Sequence, residues 1–321
     1  MSDKKIIAVL GSTGSQGGGL VRAILDDPDG QFAVRAITRN AGSDKAKEYA
    51  ARGAEVVEAD LDDEASIAAA FAGAYGAYIV TNFWDALPES ETRNRSQREK
   101  DQARNAARAA KTAGLKHVVW STLEDTRPHF EHLGSELPDL EDGYKVPHFD
   151  VKGEQNAYFM QLGIPTTFLE TTFYYESFLA GQGPRRAEDG SLILALPLAD
   201  TALSMVASED IGRTAYGIFK AGPRFIGRTV GLAGAHATGA ELAELFGRVL
   251  GEKVTYVPVT FDQMRAAEWD LAMEVGNMFQ FYSEAAETFV GNRDLNLVRE
   301  INPQLKPLEQ WANEHRDQLK A

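Results

Sequence analysis

Seven residues near the start of the chain, Gly11-Ser12-Thr13-Gly14-Ser15-Gln16-Gly17, have the types and spacing to hold a phosphate group. Glycine at every third position lets the backbone turn sharply, approach a pyrophosphate closely and pack the next helix on the preceding strand. The N–H groups of the helix start then face the anion. The surroundings suit that chemistry: the apolar run 6–10 reads as a buried parallel strand, and Leu20, Val21, Ile24 and Leu25 follow at helical spacing. Strand, glycine turn and helix in this order predict a dinucleotide site.

Which dinucleotide depends on the end of the second predicted strand, 32–38. An acid there holds the ribose hydroxyls and repels a 2′-phosphate. This chain instead places Arg39 and Asn40 after Thr38, with Ser43 and Lys45 close behind as accessory donors. A planar guanidinium makes charge-assisted hydrogen bonds to a phosphate, so NADP(H) is expected in preference to NAD(H). Asp60, after the third predicted strand at 55–58, can accept from the adenine amino group or cap the following helix.

The elements that must position these residues alternate. Helices are expected over 44–52, 64–71, 90–113 and 149–162, and further strands at 77–80, 117–120 and 165–170. Such alternation predicts an α/β fold, a Rossmann doubly wound parallel sheet with helices on both faces. Beyond residue 170 the pattern loosens into strands at 192–196 and 229–232 and helices at 210–220, 239–250, 270–286 and 308–319. The expected division is an NAD(P)-binding Rossmann domain over 1–170, to which later strands return, and a smaller interleaved C-terminal α/β lobe over 171–321 for substrate or partner. Residues 122–147, with Pro128, Gly134, Pro138 and Pro147, read as a long irregular loop. Its His129, Glu131, His132 and Glu136 lack a compact ligand spacing, so no metal is expected. Met273, Met278, Phe279, Phe281 and Tyr282 read as core at near-helical spacing, or as the lining of a groove.

Composition narrows the class. A chain of 321 residues with 44% hydrophobic content can fill a sizeable core. A net charge of −14 opposes a polyanion surface, so no direct nucleic-acid partner is expected. The absence of cysteine excludes disulfides, thiolate metal sites and a Cys nucleophile, and fits a reducing compartment. No charged n-region, apolar h-region or cleavage site precedes the first strand, and no apolar run reaches membrane-spanning length. A cytoplasmic protein without membrane association is the expectation.

Taken in order, a set of short segments is similar to the NmrA-like family. They are Gly11-Ser-Thr-Gly14-Ser-Gln-Gly17-Gly18, Val34-Arg35-Ala-Ile-Thr38-Arg39-Asn40, Gly53-Ala-Glu-Val-Val, Ala59-Asp60-Leu-Asp-Asp, Ile79-Val-Thr81-Asn82-Phe83-Trp84, His148-Phe149-Asp150-x-Lys152-Gly153-Glu154 and Phe173-Tyr174-Tyr175-Glu176. Within that family the chain resembles the HSCARG-like subgroup, atypical short-chain dehydrogenase/reductase relatives regarded as NADPH-binding redox sensors and regulators, with transcriptional regulation among the implied roles. The resemblance implies cofactor contacts at Gly11, Ser12, Thr13, Gly14, Ser15, Gln16, Gly17, Arg39, Asn40, Asp60, Leu61, Thr81, Asn82, Phe83 and Lys152, and at Tyr174, Tyr175, Glu176 and Ser177. It also implies a regulatory protein partner or a small-molecule substrate, for a monomer or homodimer. The chain departs from its nearest relatives at Ala41-Gly42-Ser43, which supplies fewer basic groups beside Arg39, and in its long 122–147 segment.

A short-chain dehydrogenase moves a proton through a Tyr phenol, with a Lys four residues later on the same helix face to lower its pKa and hold the nicotinamide ribose. Here that site reads His148 and Lys152, with Ser121 at the end of the fifth strand: the Lys and the Ser are present and the Tyr is absent. His148 has a ring able to transfer a proton near neutrality, but its ring is shorter than a phenol, and one His next to a Phe is more often a hydrogen-bonded structural residue. Two functions follow. One is an NADP(H)-binding regulatory or redox-sensor protein without the dehydrogenase Tyr. The alternative is an NADPH-dependent reductase of a small carbonyl, quinone or enone, with Lys152, His148 and Ser121 as candidate catalytic residues. Tyr216 and Lys220 repeat the spacing, but no serine-bearing strand precedes them, and they read as a packed Tyr and a solvated Lys.

Overall fold

The computed structural model describes residues 4–135 and 137–320. β1 (Lys5–Val9) leads through the glycine turn into α1 (Ser15–Leu25), followed by β2 (Phe32–Thr38), α2 (Asp44–Ala51), β3 (Glu55–Glu58), α3 (Glu64–Phe71) and β4 (Gly76–Ile79). Next come α4 (Arg95–Ala113), β5 (His117–Thr122), α5 (Arg127–Leu133), α6 (Pro147–Gln161) and β6 (Thr166–Glu170). They are followed by β7 (Phe173–Tyr174), β8 (Arg185–Arg186), β9 (Leu192–Leu196), β10 (Ala202–Val206), α7 (Ser208–Lys220) and β11 (Thr229–Gly231). The last elements are β12 (Ala235–Thr238), α8 (Gly239–Leu250), β13 (Val254–Pro258), α9 (Phe261–Arg265), α10 (Ala272–Glu284), α11 (Ala286–Gly291), α12 (Leu295–Ile301) and α13 (Leu308–Glu314).

These elements form two compact units, one of residues 1–125, 147–171 and 209–230, the other of 126–146, 172–208 and 231–321. Relative to a single cut at residue 170, segment 126–146 therefore groups with the later unit and 209–230 with the earlier one.

The first unit holds a seven-stranded sheet in the order β11-β6-β5-β4-β1-β2-β3. The pairs β1–β2, β2–β3, β1–β4, β4–β5 and β5–β6 are all parallel. Strand order runs outward from β1 to β3 and then reverses to β4. Right-handed crossovers therefore put α1 and α2 on one face and α3, α4 and α6 on the other. On the second face Ile67, Phe71, Ile79, Trp120 and Phe159 form a core with Ala103, Ala106, Ala107 and Ala110, whose small side chains let α4 lie close to the sheet. The helix expected over 90–113 starts only at Arg95. The Asn94 side chain accepts the Gln97 N–H at 2.8 Å and the Gln97 side chain accepts the Asn94 N–H at 3.3 Å, a reciprocal cap that fixes the first turn there.

In the second unit β10 pairs antiparallel with β12 and parallel with β7, and β9 pairs parallel with β13 and antiparallel with β8. Its core gathers Phe173, Tyr175, Phe178, Phe246, Phe279 and Trp311. Met278, Phe279, Phe281 and Tyr282 are buried in α10, whereas Met273 is exposed.

The segment 122–147 is not the irregular loop its composition suggests. Pro128 sits in the first turn of α5, where its missing N–H costs nothing, and Phe130 is buried edge-on against Phe281. Leu137, Tyr144 and Val146 are buried as well, and the Asn277 side chain donates to the Lys145 carbonyl at 2.7 Å. The anchors lie too far apart in sequence to show a period.

One core group is proton-linked. His117, at the start of β5, is fully buried, lies 2.9 Å from Thr167 Oγ1 through Nε2 and meets the Phe219 ring edge-on. Burial pushes its pKa down to about 4 from the ordinary 6.5. The unfolded chain therefore binds a proton below pH 6.5 that the folded chain refuses. The His117 contribution to stability is complete above pH 6.5 and is lost as the pH falls toward 4, by on the order of 3 kcal/mol. Denaturant unfolding of wild type and His117→Asn at pH 7 and pH 4.5 reads this directly. The variant is expected to lose markedly less stability over that interval than the wild type does.

Candidate functional site

The glycine turn is built by backbone contact. Gly11 has φ +63°, a left-handed conformation that favours glycine, and its carbonyl accepts the Gly14 N–H at 2.9 Å. A Cβ on Gly17 would collide with the Gly11 carbonyl oxygen, so α1 starts directly on top of the turn. Ser12 ties the turn to β2, its hydroxyl donating to the Ile37 carbonyl at 2.8 Å. Gly14 is the N-cap of α1 and no side chain caps that helix end, so Thr13, Gly14, Ser15 and Gln16 surround the positive end of a helix dipole. Two further glycines set the depth of α1. A Cβ on Gly19 would strike the Glu209 carbonyl and one on Gly212 the backbone of Gln16 and Leu20, so α1 and α7 cross at backbone contact.

On the β2 side, the Arg39 side chain is 65% exposed and its Nη2 lies 3.4 Å from Asp85 Oδ2. Asn40 folds its own loop, its Oδ1 accepting the Gly42 N–H at 2.9 Å. Ser43 caps α2 by accepting the Ala46 N–H at 3.3 Å, and the Lys45 ammonium donates to the Thr13 carbonyl at 2.9 Å. Partial burial and the neighbouring Arg22 hold the Lys45 pKa below its usual value. Asp60 does not cap α3. Asp63 does, accepting the Ala65 N–H at 3.0 Å, while Asp60 Oδ1 accepts the Asp62 N–H at 2.9 Å. The Leu61 carbonyl accepts from Asn105 Nδ2 at 2.9 Å, which docks this corner on α4.

At the end of β4 lies a buried polar cluster. The Lys152 ammonium, reaching from α6, donates to Thr81 Oγ1 at 2.6 Å and to the Thr81 carbonyl at 3.1 Å, and pairs with Glu99 Oε1 at 2.7 Å. Thr81 Oγ1 in turn donates to Glu99 Oε1 at 2.7 Å. Thr81 thus takes two of the ammonium's N–H donors, and Glu99 balances its charge at contact distance. The Glu99 side chain is only 1% exposed, and its second oxygen, Oε2, is buried with no hydrogen bond from the described residues. The Trp120 ring, 5.4 Å away, adds a cation–π contact beneath the ammonium.

His148 and Ser121 have other occupations. The His148 imidazole is buried in an aromatic box, with ring centroids 4.8 Å from Trp84, 4.8 Å from Phe149 and 6.0 Å from Phe83. The Ser121 hydroxyl donates to Gln16 Oε1 at 2.8 Å, and the same oxygen accepts from the Tyr78 hydroxyl at 2.6 Å. Gln16 thus links the glycine turn to the ends of β4 and β5. Asn82 braces the loop after β4, its Nδ2 donating to Asp85 Oδ1 at 2.6 Å and its Oδ1 accepting the Trp84 N–H at 3.3 Å.

Tyr174, Tyr175, Glu176 and Ser177 belong to the second unit. There Tyr175 is fully buried against Trp311, and the Glu176 carboxylate accepts the Ser208 N–H at 3.0 and 3.2 Å. Tyr216 is packed, its hydroxyl donating to Asp27 at 2.6 Å and its pKa pushed up by burial and by that carboxylate. Lys220 is exposed above the Tyr216 ring. Among the described residues no group of three or more His, Cys, Asp or Glu is placed to hold a metal ion; Glu136 lies outside them.

Two site residues escaped sequence reasoning. Glu99 falls on the stripe 99, 103, 106 and 110 that α4 turns inward, so a carboxylate among buried alanines was a readable sign of a charge with a hidden partner. Asp85 left no local sign, because only the fold brings the loop after β4 beside Arg39.

Comparison with known proteins matches this architecture. A model of the NmrA-like family matches residues 3–312. The NmrA-like family domain-containing oxidoreductase malD of Malbranchea aurantiaca is 31% identical over 266 residues, 79% of this chain and 75% of its own. The structure of NmrA, a negative transcriptional regulator, in complex with NADP aligns with a TM-score of 0.73 at 23% identity, over 97% of this chain and 95% of its own. The triphenylmethane reductase of Citrobacter sp. complexed with NADP(H) aligns with a TM-score of 0.72 at 21% identity, over 97% and 99%. At such identities these two structures share the fold. The family match spans nearly the whole sequence, with its glycine turn at the carboxyl end of the central strand: the chain belongs to the NmrA-like family.

Proposed function

We propose that this protein binds NADP(H) at the glycine turn and acts as a regulatory redox sensor rather than as a dehydrogenase of the Tyr–Lys type. The backbone supports the cofactor half of this reading. A Cβ on Gly17 would fill space that the turn and α1 share, and Gly14 leaves the start of α1 without a side-chain cap. Gly11, Ser12, Thr13, Gly14, Ser15, Gln16 and Gly17 would hold the pyrophosphate, Arg39 the 2′-phosphate, and Thr81, Asn82 and Phe83 would border the nicotinamide half. The bound nicotinamide supplies hydride-transfer chemistry.

The observation that carries the regulatory reading is the state of Lys152. In a Tyr–Lys site the ammonium must act on the phenol and the ribose. Here Glu99 neutralises it, Thr81 takes two of its donors, and an imidazole boxed in by three rings stands where the phenol belongs. The sensor role that resemblance to HSCARG-like proteins implies asks only that the cofactor bind, and that a partner protein read its occupancy. The cysteine-free composition suits work in the reducing cytoplasm.

A second reading has specific support. The relative malD is named an oxidoreductase, and the Citrobacter neighbour is a reductase. A quinone or enone that accepts hydride without a protein acid would let this site turn over as it stands.

Two measurements test the proposal. NADPH is expected to bind at least roughly tenfold more tightly than NADH, because a charge-assisted hydrogen bond is worth about 1.5–3 kcal/mol. Calorimetric titration should find that Arg39→Ala removes this preference; a preference that survives the substitution counts against the assignment. The second is NADPH oxidation against a panel of carbonyls, quinones and enones. Turnover of alcohols and ketones is expected to be poor, since positioned proton transfer is typically worth roughly 10²–10⁴-fold, and His148→Ala should change it little. Brisk turnover abolished by His148→Ala, with NADPH affinity intact, would establish the reductase reading instead.

The buried cluster carries its own stability signature. Glu99→Gln strands the Lys152 charge, and removing one partner of a buried pair typically costs about 3–5 kcal/mol. Thermal melts should show a large loss for Glu99→Gln and for Lys152→Met singly. The double variant Glu99→Gln, Lys152→Met is expected to recover a substantial part of it.

A further inference from the structure

Arg39 is paired with an acid that the sequence conceals. Asp85 reaches it from the loop after β4, with Oδ2 at 3.4 Å from the guanidinium Nη2. The other carboxylate oxygen, Oδ1, accepts from Asn82 Nδ2 at 2.6 Å, so the loop's own side chain holds the carboxylate toward β2. The facing loop is held in the same way. Asn40 Oδ1 takes the Gly42 N–H, and Glu58 Oε1 takes the Ala41 N–H at 2.9 Å.

We propose that Asp85 is a specificity-determining residue of the dinucleotide site, competing with a 2′-phosphate for Arg39 and so narrowing the preference for NADP(H) over NAD(H). This rests on the assignment of Arg39 as the 2′-phosphate contact. The pair is solvated, with side chains 65% and 35% exposed, and such a pair is worth only about two- to fivefold in an equilibrium constant. A charge-assisted contact to phosphate is worth roughly ten- to a hundredfold, so a 2′-phosphate displaces the carboxylate. Displacement is incomplete relief, because Asn82 keeps Asp85 beside the guanidinium and two like charges then share one cation. A ribose without the phosphate has no such conflict, and the Arg39–Asp85 pair stays intact. In NAD-selective folds an acid ends the second strand itself. Here the cation Arg39 directly follows β2 and the acid Asp85 comes from the loop after β4.

Calorimetric titration with 2′,5′-ADP and 5′-AMP, which carry the adenosine half alone, tests this in wild type, Asp85→Asn and Arg39→Ala. The substituted groups are exposed or half-exposed, and Asn at 85 retains an acceptor for Asn82. Asp85→Asn is expected to tighten 2′,5′-ADP by about three- to tenfold and to leave 5′-AMP within about twofold. Arg39→Ala is expected to bring 2′,5′-ADP down toward 5′-AMP. If Asp85→Asn leaves the ratio of the two affinities unchanged while Arg39→Ala lowers it, Asp85 has no such role and the Arg39 assignment stands. If neither substitution moves the ratio, the Arg39 assignment falls and this inference falls with it.

Discussion

The site in the first unit depends on a backbone-to-backbone approach: Gly17 rests on the Gly11 carbonyl with no room for a methyl group between them. Because α1 begins there, its positive end is delivered to the carboxyl end of β1, the strand from which the sheet order runs both ways. β2 and β4 both pair with β1 in parallel, so their carboxyl ends emerge on either side of the turn. Arg39 leaves from one and Thr81 from the other. The candidate site is thus a consequence of strand order, and the glycines are what allow α1 to close on it.

Charge is handled differently at the two flanks. The Arg39–Asp85 pair is solvated, and water screens whatever either group contributes. Lys152 and Glu99 are withdrawn from water beside Trp120, where an unmatched charge is costly and a matched one is rigid. Solvent exposure alone makes one pair exchangeable and the other a fixture. Two arginines, one just before α4 and one in its first turn, fall between these cases: Arg93 and Arg98 converge on Asp62, and Arg93 also holds Glu91, whose pKa its hydrogen bonds bring down to about 2.

Much of the first unit could be read from the chain because its signals are local. The strands at 32–38 and 55–58 and the helix at 64–71 fall where alternation and glycine stops place them. The start of α4 was harder, since a charged run gives no period and only the Asn94–Gln97 cap marks the turn. The second unit was legible in part: the strand at 192–196 and the helix at 239–250 fall where expected, but β10, β12 and β13 gave no clear signal, and the anchor of 126–146 is a set of single buried residues without spacing. In the candidate site the glycine turn was plain, because three residues of one type at fixed spacing carry it. The partners of Arg39 and Lys152 were not, because Asp85 and Glu99 meet them only through the fold. The presence of Lys152 was legible; its engagement was not.

That engagement bears on descent. An ammonium that touches only solvent and ligand can be exchanged for another residue without notice elsewhere in the protein. Lys152 has no such liberty, since Glu99 and Thr81 are bound to it on separate elements. A lineage that no longer uses this lysine for proton transfer would still be obliged to keep it, or to lose Glu99 in the same step. The presence of Lys152 in a sequence therefore reports the packing of α4 against α6 whether or not the site turns over.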